Sequence, residues 1–396
     1  MIARAPYLFL LLIMVPDLYF DLHYWRHKFN ITKRLIYWLP TVILTALTLK
    51  LTYEPEFIPE NATLLYIYLL LIGLIAAPKW IYMLCSIAGL VLSKLVRLFK
   101  HHKPRKTKNY GNLVGWIATV FIWYVVLYGV FVGFKKLDTN TCHNYISPNI
   151  PAAFDGYRIV QFSDAHVGTM TSDRKWMMQR LVDSINAQHP DLIVLTGDLQ
   201  NVKPNEIREQ MEILSGLKAK DGVYSVLGNH DYDKYMHPSE DISDVKQCKE
   251  TIALEKRMGW TLLLNEHRTI RRGNDKITIA GMENDGDGKR FPQRGNIKKA
   301  LNGVKGFTIM LEHDPDSWRR KIVPDGRAEL TLSGHTHAMQ FNILGWNPIE
   351  LLGKEWYGWY KEGDQSLYVT SGAGALIPFR FGASAEIAII DLRTSL

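Results

Sequence analysis

Apolar positions fall in two regimes along this chain. The first third carries four long apolar blocks, at 5–20, 35–51, 64–92 and 113–134, and the remainder carries short apolar bursts separated by polar turns. A helix that crosses the hydrocarbon core of a bilayer needs about 20 residues, with about 17 as the lower limit. The first block is short and is interrupted by Pro16 and Asp17. The third is long and broken at Pro78-Lys79, which predicts one kinked helix or two half-helices. The fourth, WIATVFIWYVVLYGVFVGF, is the cleanest. A secretory signal competes for the first block, with Arg4 as its basic end, but no small-x-small cleavage site follows Val15, so a retained helix is expected. The pattern predicts an all-α transmembrane region of about four helices over residues 1–136.

Beyond a linker at 137–153, which holds Pro148 and Pro151, the bursts alternate with amphipathic stretches. Strands are expected at 158–162, 192–196 and 223–227, with helices at 175–187, 205–217 and 245–258. Pro204 sits where the second of these helices begins. Strands at 261–264, 269–271 and 276–280 follow, then a helix at 297–301 and strands at 307–311, 330–333, 367–370 and 386–391. A β-α-β-α-β half followed by a strand-rich half predicts an α/β domain of two packed sheets flanked by helices, over residues 154–396.

Charge adds an orientation. Residues 1–150 carry 16 Lys and Arg against 6 Asp and Glu, and the remainder carries 31 against 33. The excess of positive charge therefore belongs to the membrane-flanking loops, and no nucleic-acid footprint marks the second part. Arg26, Lys28, Lys33 and Arg34 follow the first block, Glu54, Glu56 and Glu60 follow the second, and seven Lys and Arg between Lys94 and Lys108 precede the fourth. Under the positive-inside rule the first and third loops are cytoplasmic. Both ends of the chain, and with them residues 154–396, are then expected on the external (periplasmic) face of the cytoplasmic membrane. Lys135 and Lys136 oppose this placement mildly.

Five of the apolar bursts end in residues that bind metals: RIVQFSDAH, LIVLTGDL, VYSVLGNHD, FTIMLEH and LTLSGHTH. In open α/β sheets the C-terminal edges of the strands are where ligands bind. Oxygen donors and neutral imidazoles suit Mn, Fe and Zn. The donors on offer are Asp164, His166, Asp198, Asn229, His313, His335 and His337, enough for two divalent ions. Asn229 would ligate through its amide oxygen and leave its nitrogen to donate to substrate. Asp164-x-His166 alone is an ordinary surface-loop pattern, and Gly197-Asp198 alone an ordinary turn. The weight lies in five such blocks in series, each after a strand.

These blocks resemble the five-part signature of the calcineurin-like metallophosphoesterases, D-x-H, GD, GNHD/E, H and GHxH. SDAHVG, GHTHAMQ and SGAG…PFRFGASAEI are similar in wording to the bacterial membrane-anchored branch. The resemblance covers about 157–392 and implies a four-layer α-β-β-α sandwich with a dinuclear site. It implies that Asp164, His166 and His337 hold the first metal and that Asn229, His313 and His335 hold the second. Asp198 then bridges them. It implies hydrolysis of a phosphate ester or pyrophosphate, with His230 as proton donor or electrostatic clamp, and Asp231 as the group that orients His230. AGMENDGDG stands where this branch often carries a further aspartate block, which leaves Glu283, Asn284 and Asp285 without a role.

Other features take plainer readings. His143, His189, His237 and His267 lie outside the blocks, and His101 and His102 belong to a basic loop. Trp346, Trp356, Tyr357, Trp359 and Tyr360 form an aromatic cluster, read as a hairpin with WYGWY as one strand and 361–364 as its turn, or as an interfacial platform for an acyl chain. Arg380 is open between binding phosphate and a structural role. Cys85, Cys142 and Cys248 match no zinc spacing and are expected as free thiols. The expected partner beside the bilayer is a phosphorylated, amphiphilic substrate. A UDP-2,3-diacylglucosamine-type pyrophosphate would require a cytoplasmic domain. A non-catalytic phosphate receptor would require a silent site. The cap loop at 233–244 is where ester class would be set.

Overall fold

The computed structural model describes residues 5–54, 62–99, 108–232, 246–288 and 291–395. The chain divides into two compact units, 1–130 and 131–396.

In the first unit the apolar blocks form α1 (Ala5–Phe20), α2 (Ile31–Leu51), α3 (Thr63–Leu71), α4 (Ala77–Phe99) and α5 (Gly111–Phe131). The third block is one continuous helix: a π-helical segment at Ile72–Ala76 joins α3 to α4, so neither half-helix is free. Four helices are long and apolar enough to cross a membrane, among the described residues. The inner faces of the first three meet through Ile13, Leu44, Leu51, Tyr68 and Ile72. Outward-facing Leu8, Leu39, Leu92 and Ile117 stay exposed, as lipid-facing positions must be. Proline leaves the carbonyl four residues before it without its helical partner. Two such carbonyls are taken by indoles of other helices: Trp80 Nε1 donates to Leu12 O at 2.7 Å and Trp123 Nε1 to Leu74 O at 2.9 Å.

The second unit holds two six-stranded sheets. The first runs β1-β12-β2-β3-β4-β5, ending at the edge strand β5 (Thr261–Leu262), and the second β10-β11-β9-β8-β7-β6, ending at the edge strand β6 (Glu266–Arg272). Its central strands are β2 (Arg158–Phe162), β3 (Leu192–Thr196) and β4 (Val223–Val226), parallel to one another. In the other sheet β7 (Asp275–Gly281), β8 (Thr308–Leu311) and β9 (Leu330–Ser333) are parallel. Period-two alternation builds the layers. Ile159, Leu192, Val194, Ile309 and Leu311 face the space between the sheets. Val160, Phe162, Ile193 and Leu195 face the other way, onto α6 (Lys175–Asn186) and α7 (Asn205–Leu214). Met310 and Ala280 meet Trp318, Ile322 and α9 (Ile297–Ala300) on the far side. A strand buried on both faces must be apolar throughout, which is why these bursts do not alternate with polar residues. The result is the α-β-β-α sandwich expected from the sequence.

Two expectations are corrected. The segment 137–153 is not a linker throughout: Leu137–Ser147 is strand β1, paired in parallel with β12 (Ala385–Thr394) from Leu137↔Ala385 to Ser147↔Thr394. Its sequence, LDTNTCHNYIS, is polar because β1 is an edge strand, and its pairing is set by a segment almost 250 positions later. The aromatic hairpin also starts later than expected. Gly358, at φ +82°, breaks WYGWY, so β10 runs Gly358–Glu362 and turns through Gly363-Asp364 into β11 (Gln365–Val369). Trp359 stacks on Tyr145, and Tyr357 and Tyr368 donate to the buried Glu386 carboxylate. Among the described residues Cys85, Cys142 and Cys248 form no disulfide.

Candidate metal centre

The five blocks converge at the C-terminal ends of β2, β3, β4, β8 and β9. The chain must turn sharply there, and it does so in left-handed backbone at Asp164 (φ 51°), His166 (φ 40°), Asp198 (φ 55°), His335 (φ 73°) and His337 (φ 51°). A non-glycine residue in that region is disfavoured and persists where the surroundings over-determine it, most often at functional sites. Close approach is needed too. Gly197 has φ +93°, and a Cβ at Gly228 would lie 2.5 Å from the Asp198 backbone nitrogen and on its carboxylate.

Three donor groups result, each with its ligand atoms within 4.8 Å of one another: Asp164, His166 and His337; His166, Asp198 and His230; Asp198, His313 and His335. His166 Nε2 and His337 Nε2 lie 2.9 Å apart, with Asp164 Oδ1 3.3 Å from His337 Nε2. Asn229 Oδ1 lies 3.1 Å from His313 Nε2 and 2.8 Å from His335 Nδ1. Asp198 Oδ2 lies between the two sets, 3.2 Å from His313 Nε2 and 3.7 Å from His166 Nε2. Donors about 2.1 Å from a common cation lie about 3.0–3.4 Å from each other, so the donor set fits divalent ions of the Mn, Fe or Zn type.

Protonation is arranged to match. His313 Nδ1 is 2.8 Å from the Thr196 carbonyl and must donate to it, which leaves Nε2 directed at the site. Burial, then the crowding of His166 against the imidazoles of His230 and His337, hold it well below the usual imidazole range. Burial, then the Arg380 guanidinium, do the same for His337, so both rings are neutral as ligands require. Burial opposes charge on His313 as well, but the Asp198 carboxylate overcomes it and lifts His313 to about 10.

A sequence-family model described as "Calcineurin-like phosphoesterase" matches residues 157–339, and one described as "Probable Calcineurin-like phosphoesterase, transmembrane domain" matches residues 2–134. The relative "Uncharacterized metallophosphoesterase YkuE" of Bacillus subtilis is 31% identical over 262 residues, 64% of this chain and 85% of that protein. The chain belongs to the calcineurin-like metallophosphoesterases. A "Transmembrane protein with metallophosphoesterase domain" of Danio rerio is 32% identical over 256 residues, covering 62% of this chain and 55% of that protein. A metallophosphoesterase of Campylobacter jejuni is 29% identical over 309 residues, 75% of each chain. The alignment thus spans little more than half of the zebrafish protein.

Several residues of this metallophosphoesterase stand where the sequence did not place them. Asp231 was expected to orient His230. Its fully buried carboxylate instead accepts from three backbone N–H groups, Asp198 at 2.8 Å, Gly228 at 2.9 Å and Gln200 at 3.1 Å. It ties the GD loop to the GNHD loop. The partner of His230 Nδ1 is the Asn201 carbonyl, at 2.6 Å. Asn201 is held in turn by the Glu206 carboxylate, which accepts its N–H at 2.7 Å. Buried Asp314, next to His313, lies 3.6 Å from His335 Nε2, and its one sequence signal was adjacency to a ligand. Arg380 is fully buried and donates to the carbonyls of Ser371, Gly372, Gly374 and Ala383, so its role is to hold the 371–383 loop against His337 and not to bind phosphate. Glu283 pairs with Arg294, Asp285 with Arg320 and Lys321, and Asn284 donates to the Pro292 carbonyl. His143 packs against Trp359 and Tyr368, and His267 reaches the Ala300 carbonyl. His101, His102, His237 and the 233–244 loop lie outside the described residues.

Proposed function

We propose that this chain is a membrane-anchored dinuclear phosphoesterase that hydrolyses an amphiphilic phosphate ester or pyrophosphate at the external face of the cytoplasmic membrane. The observation that carries the dinuclear reading is Asp198, whose Oδ2 is shared between two donor sets. Asp164, His166 and His337 would hold one cation, Asn229, His313 and His335 the other, with Asp198 common to both. When bound, the cations supply Lewis acidity toward a phosphoryl oxygen and toward the attacking water. Asn229, its oxygen turned to His313 and His335, has an amide nitrogen suited to donate to a phosphoryl oxygen. Because His230 Nδ1–H is committed to the Asn201 carbonyl, Nε2 is the nitrogen that would donate a proton to the leaving oxygen.

An amphiphilic substrate is favoured by the segment that follows His337, in which Met339, Leu344, Trp346 and Leu351 are all exposed. Gln340 and Asn347 brace that loop through the carbonyls of Ile377, Ala338 and Phe341. Surfaces of this kind mark contact with apolar partners.

The reading is tested on the purified full-length protein with a panel of lipid phosphates, phosphodiesters and pyrophosphates in Mn, Fe, Zn or chelator. Metal-dependent turnover of lipid phosphates above water-soluble esters is expected. Two bound metals with no hydrolysis of any ester would instead mark a receptor. Protease added to intact cells should cut within 154–396; protection would place the domain in the cytoplasm and favour a nucleotide-sugar lipid as substrate.

A further inference from the structure

The second unit carries a groove of about 600 Å³ where the chain leaves the last apolar helix, and none of its lining residues is a metal donor. The span that begins at Gly111 ends at Lys135, and β1 begins at Leu137. Lys135 and Lys136 therefore lie at the level of the lipid headgroups, outside the hydrocarbon. The exit is fixed in place. Phe134 is buried in one cluster with Met178 and Leu181 of α6, and the Arg174 guanidinium covers its ring at 5.9 Å. Around it Phe131 is 55% exposed, Val132 45% and Trp176 47%. Exposed aromatic residues beside basic ones are the composition of a membrane interface.

Three basic side chains line the groove, Lys135, Lys136 and Arg180, against one carboxylate, Asp138. Arg180 lies over the Trp176 ring at 5.2 Å, and its Nη2 donates to the Lys135 carbonyl at 2.5 Å. No carboxylate meets it among the described residues, and its buried Nε has no acceptor. Burial accordingly lowers its pKa from the ordinary guanidinium value, with no counter-charge to offset the lost water. An arginine in that state gains from an anion, and its planar fork suits phosphate. Lys135 and Lys136 are also the residues that oppose the orientation drawn from the loops, and an anion beside them gives them a use that topology does not.

The groove opens on the sheet edge that carries the metal donors. Leu137 pairs with Ala385, and β12 runs antiparallel to β2 with Ala388 opposite Gln161. The start of β12 thus stands beside the end of β2, where Asp164 follows. The Glu386 N–H donates to the Gly372 carbonyl at 3.0 Å, and a Cβ on Gly372 would lie 2.8 Å from Asp164 Cβ. Ser384, just before this strand, lines the groove. We propose that the groove binds the phosphate of an anionic phospholipid headgroup between Lys135 and Arg180, with its acyl chains against Phe131, Val132 and Trp176. A zwitterionic headgroup would bring its own ammonium among three basic side chains, which disfavours it. The bound lipid holds the metal-bearing edge toward the bilayer. The site does not rest on the catalytic reading.

Photolabelling of the full-length protein in detergent decides it, using a phosphatidylglycerol with a diazirine beside its phosphate and mapping the adducts by mass spectrometry. In the wild-type protein, adducts on 131–138 and 174–184 should saturate with dose and be displaced by unlabelled phosphatidylglycerol. A basic side chain at the membrane surface contributes about fivefold to affinity for anionic lipid, so Lys135→Gln with Arg180→Gln should cut these adducts about tenfold or more and leave adducts elsewhere. Lys175→Gln, exposed on α6 but outside the groove, should change nothing. Absence of adducts on these segments, or equal displacement by phosphatidylcholine or by sn-glycerol 1-phosphate, overturns the proposal whether or not the variants fold. A double variant that labels as the wild-type protein does overturns it as well.

Discussion

At the scale of single residues, the site separates groups that touch the reaction from groups that hold it together. His230 and Asp231 are neighbours in one motif with different jobs. His230→Asn should lower turnover by about 10²–10⁴-fold and leave metal content unchanged; loss of metal from that variant would make His230 a ligand. Asp231→Asn removes an acceptor from buried backbone N–H groups, so it should cost about 1–3 kcal/mol of stability and weaken metal retention. Thermal melts and metal analysis of both variants check the contrast. Glu255 makes a pH prediction away from the metals. Burial, then the Asp231 charge, push it up to about 8, with the Ser225 hydroxyl donating to one oxygen. Its folded pKa lies above the ordinary 4.5, so between about pH 4.5 and 8 the folded protein holds a proton that the unfolded chain has released. The stabilisation is complete below about 4.5 and is lost as pH rises through 8. Glu255→Gln should flatten that decline, an effect on the order of a few kcal/mol; an unchanged slope in urea melts across this range would show that Glu255 does not titrate there.

At the scale of elements, parallel strands deliver the ligands, and the turns after them fix the aim. β3 and β4 run side by side, which sets the GD loop against the GNHD loop at a distance only glycine permits. Gly228→Ala should therefore leave both sheets intact by circular dichroism and still reduce bound metal at least tenfold, since a Cβ there displaces the Asp198 carboxylate. Full metal occupancy in that variant would show that the loop yields more than close packing suggests. The buried bursts of β2, β3, β8 and β9 were readable because an apolar run bounded by turn residues has few alternatives. β1 was not, because an edge strand needs no apolar face and its partner is remote in sequence.

At the scale of the whole molecule, two compact units are joined in one chain, and the metals bear on one of them. Chelation should lower the unfolding transition of 131–396 by the binding energy lost, about 3–4 kcal/mol for each site held at 100 to 1,000 times its Kd, and leave the helical transition in place. Scanning calorimetry in detergent reads both. A single transition moving as a whole would mean that the units unfold together. Metal uptake should also release the proton that His313 shares with Asp198, measurable as heat that varies with buffer ionisation. The sequence by itself determined the four apolar helices, the buried strands and flanking helices of the sandwich, and the set of donor residues. Length, hydrophobic period and side-chain chemistry are local properties, and each block carries its own. Only the tertiary structure decided which carboxylate lies between the two donor sets and which carbonyl holds His230. It likewise decided that Asp231 and Arg380 brace loops, and that two π-helical segments line a cavity beside Lys79. Those assignments depend on distances between segments up to about 170 residues apart, which no local pattern encodes.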